Sequence, residues 1–409
     1  MASALPTITG LDIGSSLVTA ITAEADDGIC KIVGVGRAPS NGLRRGVIVH
    51  LDRTSSAIRK ALEEAELMAG VPPGPIHVNI AGDHIKSVNS RGVVAVSKRG
   101  GPIGHGDVER VLQAARAVPV PSDREVIHVL PSEYVVDDQG GIKDPIGMIG
   151  SRLEVEVHIV TAAALAVNNI HHCVQEAGYN VASLTLSTLA TGAAVLSDRD
   201  RDMGVGLIDV GAGLTDIALF VDGTVRHTAT VPLGGRNVTN DLAIGLRTPI
   251  DAAEEIKLAY GSASAEAVEG LDVIQVPGVG DQRTREVSPR VIASIIGPRF
   301  EEIFMMAKTE LQKAPVPDLL ACGMVLTGGG ACIPGAAELA ERILDLPVRV
   351  GKPTDIVGII GLVVEPADAA AVGLVLHANE AAPIRRVRNQ NGVFRRMSAK
   401  IGQVLSEFI

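Results

Sequence analysis

The stretches "TITGLDIGSSLVTAITAEA", near the start, and "GVGLIDVGAGLTDIALFVDG", Gly204 to Gly223, share one grammar. In each, an apolar β-branched run ends in Asp-x-Gly, a turn of small residues follows, and a second apolar run leaves. Each reads as a β-hairpin. Recurrence at so long a spacing points to two related halves rather than to a solenoid of short repeats. No other feature of the chain limits its fold so strongly.

Between the hairpins lie an amphipathic helix ("SSAIRKALEEAELMAG"), a strand ("PIHVNIAG") and a section from about 84 to 158. That section reads as strand ("SVNSRGVVAVS"), helix ("GDVERVLQAARAV") and two strands ("EVIHVLPSEYVVD", "LEVEVHIVT"), enough for a small α+β module. After the second hairpin, "NVTNDLAIGLRTPIDAAEEIKLAYG" predicts two helices parted by Thr248-Pro249. "SPRVIASIIGPRFEEIFMMAKTELQK" follows as a helical stretch with a bend expected at Pro298. Then come a strand, triple-glycine turn and helix ("GMVLTGGGACIPGAAELAERIL"), a small-residue helix ("EPADAAAVGLVLHA") and a linker-like stretch ("NEAAPIRRVRNQNG").

At 409 residues the chain has room for two or more domains, each with a core. Apolar residues make up 46% but aromatics only 2%, with no Trp, so the cores must be built from Val, Ile, Leu and Ala. That mix suits parallel α/β architecture. The formal charge of −10 argues against nucleic acid as a partner, because its phosphates would be repelled. No window resembles a signal peptide, and no run of about 20 apolar residues is long enough to span a bilayer. Cys30, Cys173, Cys322 and Cys332 form no C-x-x-C pair and are expected as buried thiols in a reducing compartment. The chain reads as cytosolic.

A phosphate chain needs backbone N–H groups aimed at it and no side chain in the way, which glycines in tight turns provide. Gly14, Ser15 and Ser16 in the first hairpin suit this, as do Gly211, Ala212 and Gly213 in the second. Asp12 and Asp209 would stand at the turn mouths. Two carboxylates repel a polyphosphate unless Mg²⁺ intervenes, usually through its retained waters. Alone, either Asp-x-Gly is equally the way an ordinary hairpin closes. "LTGGGACIPG" adds Gly328, Gly329 and Gly330 between a strand and a helix, where backbone can approach a flat or anionic ligand.

The ordered set of hairpin, hairpin and strand-GGG-helix resembles the actin-like ATPase superfamily. "VIHVLPSEYVVDDQGGIKDPIGMIGSRLEVEVHIVT", "GGRNVTNDLAIGLRTPIDAAEEIKLAYGSA" and "PADAAAVGLVL" are similar to the FtsA family of bacterial cell-division proteins over nearly the whole chain. The resemblance implies an α/β, actin-like two-domain ATPase fold of duplicated ribonuclease-H-like halves, with an inserted α+β subdomain and a C-terminal amphipathic helix. It divides the chain into domain I (1–83 and 159–201), the insert (84–158) and the domain II core (202–226 and 310–365). An outer subdomain (227–309), a return helix (366–378), a linker (379–392) and a membrane-targeting helix (393–409) complete the division.

By the same resemblance, Asp12, Gly14, Ser15 and Ser16 form the first phosphate loop, and Asp209, Gly211, Gly213 and Thr215 the second. The ligand is ATP or ADP, with Asp12 and Asp209 turned to a hydrated Mg²⁺. Gly328, Gly329 and Gly330 meet the adenosine, and Glu254 with Lys257, three apart on one helix face, reach the ribose and base. Where chaperone-like and bacterial-cytoskeletal members place a water-activating Glu, "LTLSTLATGAAVL" has Ser187 or Thr188. A hydroxyl is no base near neutral pH, so hydrolysis is expected to be slow or absent. The implied partners are the acidic tail of FtsZ, with Arg299 of "GPRFEEIF" a candidate clamp, further copies in a filament, and downstream division proteins. A pilus-assembly relative, or a soluble ATPase or kinase of the superfamily, is the alternative.

The chain closes on "NGVFRRMSAKIGQVLSEFI". On a helix, Val393, Phe394, Met397, Ile401, Val404, Leu405, Phe408 and Ile409 fall on one arc roughly 160° wide. Arg395 and Arg396 lie on the other side and Lys400 at its edge. Such stripes usually pack on a body, but this one is basic on an acidic chain and follows a linker. It reads as an anchor for an anionic membrane, each basic residue near the surface adding about 1 kcal/mol, and the resemblance places that membrane surface at the cytoplasmic face of the division septum.

Overall fold

In a computed structural model the described residues are 5–26, 29–280, 283–314 and 320–381. The first half begins with β1 (Thr7–Ile13), β2 (Leu17–Asp26) and β3 (Ile29–Pro39), an antiparallel meander. A small hairpin of β4 (Leu43–Arg44) and β5 (Val47–Ile48) leads into α1 (Leu51–Ala69) and β6 (Ile76–Ile80). In α1, Ala57, Ile58, Ala61, Leu62 and Ala65 recur at helical spacing and are buried, and Gly70 ends the helix in the left-handed region.

The insert follows: β7 (Lys86–Ala95), β8 (Gly101–Pro102), α2 (His105–Arg116), β9 (Arg124–Val136), β10 (Gln139–Ile142), β11 (Ile149–Gly150) and β12 (Arg152–Ala163). Its sheet runs β10-β9-β12-β7, all antiparallel. Short β8, β10 and β11 are additions to the order expected from the sequence. Along β12, Leu153, Val155, Val157 and Ile159 enter the insert's own core, whereas Val160 and Ala162 enter that of the first half. One strand thus belongs to two cores, and it runs past the expected boundary at 158.

α3 (Ala164–Glu176), β13 (Val181–Leu186), α4 (Ser187–Val195) and α5 (Asp198–Met203) lead to the second half. There β14 (Val205–Val210), β15 (Thr215–Val221) and β16 (Thr224–Val231) repeat the meander, with β16 crossing the expected boundary at 226. α6 (Gly235–Gly245) and α7 (Ile250–Tyr260) flank Thr248-Pro249. β17 (Ile274–Val276) and β18 (Arg285–Val287) pair before α8 (Pro289–Gln312), which runs through Pro298 as one helix. β19 (Met324–Thr327), α9 (Ala336–Leu344), β20 (Val348–Val350), β21 (Ile356–Gly358) and α10 (Ala369–Ala381) complete the order.

The duplication read from the two Asp-x-Gly motifs is present strand for strand. The first sheet runs β3-β2-β1-β6-β13, with β21 added outside β3; the second runs β16-β15-β14-β19-β20. In each, two antiparallel pairings are followed by two parallel ones. Both faces of the second sheet are buried: on β15, Ile217 and Leu219 face the second core while Ala218 and Phe220 face the first. α10 and α4 cross nearly backbone to backbone, since a Cβ on Gly373 would lie 1.7 Å from the Ala190 carbonyl oxygen. The linker expected over 379–392 does not begin at 379, because α10 continues to Ala381. The rest of the linker and the helix of 393–409 lie outside the described residues.

Candidate functional site

The equivalent turns of the two halves meet at a cleft of about 380 Å³. Asp12 and Asp209 each occupy the penultimate position of a strand, followed by the same tight turn. Gly14 donates its N–H to Leu17 at 3.0 Å, and Gly211 donates to Leu214 at 2.9 Å. Both aspartates line the cleft, and each is held by a polar side chain that lies outside the Asp-x-Gly motifs. Asn79 on β6 donates to Asp12 at 2.6 Å and accepts the Ile13 N–H at 2.8 Å. Thr191 on α4 donates to Asp209 at 2.9 Å, so a helix of the first half positions the acid of the second.

A third carboxylate, Asp216, stands opposite Asp209 in the β14–β15 register and takes a 2.6 Å hydrogen bond from Thr230. All three keep some surface on the cleft but are otherwise enclosed by protein. Burial pushes Asp12 up to about 7, the Asp209 charge adding to the shift and the Asn79 hydrogen bond opposing it. Burial likewise raises Asp209 to about 6 against Thr191, and Asp216 to about 7 against Thr230. Carboxyl groups so raised by burial in a cleft mark a candidate functional site.

The opposite wall carries Glu254 and Lys257 of α7. Lys257 is buried and donates to Glu254 at 2.7 Å, to Thr239 at 3.0 Å and to the Gly235 carbonyl at 3.3 Å. The pair is therefore a fixed, partly buried fitting rather than a solvated surface pair. Gly328, Gly329 and Gly330 also line the cleft. Gly328 has φ 79°, and a Cβ there would meet Asp209 Oδ1 at 2.2 Å, so only glycine leaves that carboxylate in place. Asp368 lines the cleft too but is paired with Arg37 at 2.6 Å, leaving Asp12, Asp209 and Asp216 without a paired cation among the described residues.

Of the residues expected on the phosphate loops, Asp12, Gly14, Ser15, Ser16, Asp209, Gly211 and Gly213 line the cleft. Thr215 does not: it is fully buried and its hydroxyl ties the hairpin to the Leu233 carbonyl at 2.9 Å. Ser187 lines the cleft, whereas Thr188 is buried on the wall of a neighbouring cavity that shares Asp216. Arg299 is already engaged: it forks onto Asp241 at 2.6 and 3.0 Å and also pairs with Glu302. The thiols are not uniformly buried, since Cys30 and Cys173 are, Cys322 is partly so, and Cys332 is exposed and lines the cleft. Among the described residues no group of three or more His, Cys, Asp or Glu is arranged to hold a metal ion. No described helix is long and apolar enough to cross a membrane.

The profile of the family described as "Cell division protein FtsA" matches residues 206–373, and that of "SHS2 domain inserted in FTSA" matches residues 82–161. The cell division protein FtsA of Pseudomonas aeruginosa is 44% identical over 371 residues, 90% of this chain and 88% of the relative. That of Neisseria meningitidis is 45% identical over 374 residues, covering 91% and 89%. The Escherichia coli K12 protein is 34% identical over 403 residues, covering 97% and 94%. In fold, the chain is similar to a PilM-PilN type IV pilus biogenesis complex chain, with TM-score 0.65, 18% identity and coverage of 91% and 98%. It is also similar to MreB5 of Spiroplasma citri bound to ADP, with TM-score 0.54, 13% identity and coverage of 91% and 95%.

Proposed function

The chain belongs to the FtsA family of cell division proteins, and from that premise we propose that it is an ATP-binding, polymerising actin homologue that tethers the FtsZ ring to the cytoplasmic membrane. The observation that carries the nucleotide part is the opposition of Asp12 and Asp209 at the mouths of two identical turns, one from each half. The backbone N–H groups of Ser15, Ser16, Ala212 and Gly213 belong to these turns and are suited to phosphate oxygens. The adenosine rests on Gly328–Gly330, with Lys257 and Glu254 toward the ribose and base.

The donor set fits Mg²⁺ arriving with its phosphates and waters: Asp12 and Asp209 are raised by burial and lack a paired cation, and among the described residues no group of three or more His, Cys, Asp or Glu is placed to hold the ion alone. Such an ion supplies charge neutralisation between carboxylates and phosphates. Asn79 and Thr191 hold Asp12 and Asp209 in place for it. Ser187, the cleft residue nearest in sequence to the expected water-activating position, is not a base, so the nucleotide acts chiefly as a conformational ligand.

Cys332 offers a direct check of occupancy. It lies beside Gly330 on the cleft, whereas Cys322 does not line it. Alkylation of Cys332, followed by mass spectrometry, is expected to slow roughly tenfold in saturating Mg-ATP while Cys322 keeps its rate. Equal rates with and without nucleotide would remove the adenosine from this wall.

The anchor is tested by sedimentation with anionic vesicles and Mg-ATP, comparing the full chain with one ending at Gly392. The full chain alone is expected to pellet, through the amphipathic stretch Phe394–Phe408, and to carry an acidic FtsZ tail peptide with it. The peptide would exchange with Asp241 or Glu302 on Arg299. Equal pelleting of both chains, or of neither, rejects the anchor. Pelleting without the peptide favours a pilus-type partner instead.

A further inference from the structure

Arg45 and Gly46 form the two-residue turn joining β4 to β5, and both have positive φ, 50° and 72°. Such turns are normally Asn-Gly or Asp-Gly, because a larger side chain crowds its own backbone in the left-handed region. Among the described residues, the other non-glycine positions with positive φ are Asp137, Asp222, Asp345, Asp355 and Arg247. The four aspartates are of a type that tolerates this conformation. Arg247 stands just past the end of α6, where a left-handed residue closes a helix. Arg45 has no such reason, and a disfavoured residue in such a conformation beside a cleft points to use of its side chain.

The turn is placed where that use is visible. Gly46 lines the cleft, and its N–H donates to Ser15 Oγ of the first phosphate loop at 3.3 Å. A Cβ on Gly213, in the second loop, would lie 3.3 Å from Arg45 Cα and 2.7 Å from Ser15 Oγ. A Cβ on Gly46 would meet the Ala81 carbonyl oxygen at 2.7 Å, so the tip has no room to slide. The hairpin tip is therefore wedged against both loops at once. Arg45 itself is exposed, and no carboxylate among the described residues forms an ion pair with it. The cleft beside it holds three carboxylates without a paired cation, and the one lysine lining it among the described residues is held by Glu254.

We propose that Arg45 is the residue that distinguishes a nucleoside triphosphate from a diphosphate, its guanidinium closing over the terminal phosphate from the tip of the β4–β5 hairpin. This rests on the nucleotide reading above and deepens it. A phosphate is a planar-fork acceptor for arginine, and only a triphosphate extends its charge past the two loops toward the tip. The left-handed backbone fixes where the side chain starts.

The test is Arg45→Asn in the full chain, with Mg-ATP and Mg-ADP affinities measured by calorimetry beside the melting temperature without nucleotide. Asn suits the turn, so the variant is expected to melt a few degrees higher than the wild type. Its ATP affinity is expected to fall roughly tenfold or more, with ADP affinity within about twofold of wild type. Arg45→Lys, a point charge without the fork, is expected to fall between. Parallel weakening of ATP and ADP would make the tip a mere prop for the loops, and unchanged ATP affinity would overturn the proposal outright. A wild-type chain that binds neither nucleotide would instead sink the nucleotide reading, and this proposal with it.

Discussion

Asp12→Asn and Asp209→Asn chains are expected to lose Mg-nucleotide binding by roughly a hundredfold or more, and yet to be the more stable proteins when no nucleotide is present. Both effects have one cause. In the folded chain burial raises Asp12 to about 7, Asp209 to about 6 and Asp216 to about 7. Between about pH 4 and pH 7 the folded state therefore holds protons that the unfolded state has released. Stability contributed by these groups is present at low pH and is lost as pH rises through that window. Above about pH 7 the full cost of three crowded carboxylates is felt, unless a cation offsets it.

Three histidines, His158 buried and His77 and His128 half-buried, work in the opposite sense. Burial lowers His77 to about 4, His128 to about 3 and His158 to about 4, so they favour unfolding as pH falls below about 6.5. The raw pH profile of stability is a sum of opposing slopes, but the difference between variant and wild type isolates the carboxylate. An Asn at position 12 still accepts from Asn79, so the local hydrogen bond survives. The gain is expected to be on the order of 1–3 kcal/mol at pH 8 and to vanish near pH 4, read by chemical denaturation at each pH. A gain of equal size at both ends would mean that ionisation is not its source.

The second large effect is structural. Gly373→Ala puts a methyl group 1.7 Å from the Ala190 carbonyl oxygen and 2.4 Å from its carbonyl carbon, between two helices that cannot part without disturbing both halves. α10 also lies close to β1, where a Cβ on Gly10 would meet the Ala371 carbonyl oxygen at 2.8 Å. Relief requires moving backbone rather than a flexible side chain, and a loss of more than about 3 kcal/mol is expected. Because α4 carries Thr191, what remains folded is also expected to bind nucleotide more weakly. Gly106→Ala in α2 meets nothing within 4 Å and is the matched control, expected to be neutral or slightly stabilising. If the two variants melt together, the close crossing does not bear on stability.

Much of the architecture was legible because duplication leaves a written trace. Two Asp-x-Gly turns with the same flanking pattern point to two copies of one sheet, and the strand orders agree. The insert was legible as a change from long-range repetition to a self-sufficient strand and helix pattern. What escaped were residues whose role depends on a partner distant in sequence. Asn79 carries a faint signal, an amide inside the otherwise apolar "PIHVNIAG", but nothing local says it reaches Asp12, 67 positions away. Thr191 looks like any helix threonine until α4 is seen against β14. Asp216 follows directly from "GLTD", yet its charge matters only because the hairpin register sets it across from Asp209. Thr215 was drawn into the site by the same motif, although strand alternation turns it inward. Arg45 was hidden for a different reason: sequence gives no φ, and arginine is not a residue one expects in such a turn.

The tight crossing of α10 has a mechanical side. This helix is described as far as Ala381, the last described residue before the stretch proposed to hold the membrane. It bears on β1, which carries Asp12, and on α4, whose Thr191 grips Asp209. Contacts made by backbone against backbone have almost no compliance, since there is no long side chain to bend. A tension applied beyond Ala381 is thus delivered, with little slack, to both jaws of the cleft. In such a body the proposed tether and the proposed ligand would pull on the same short beam.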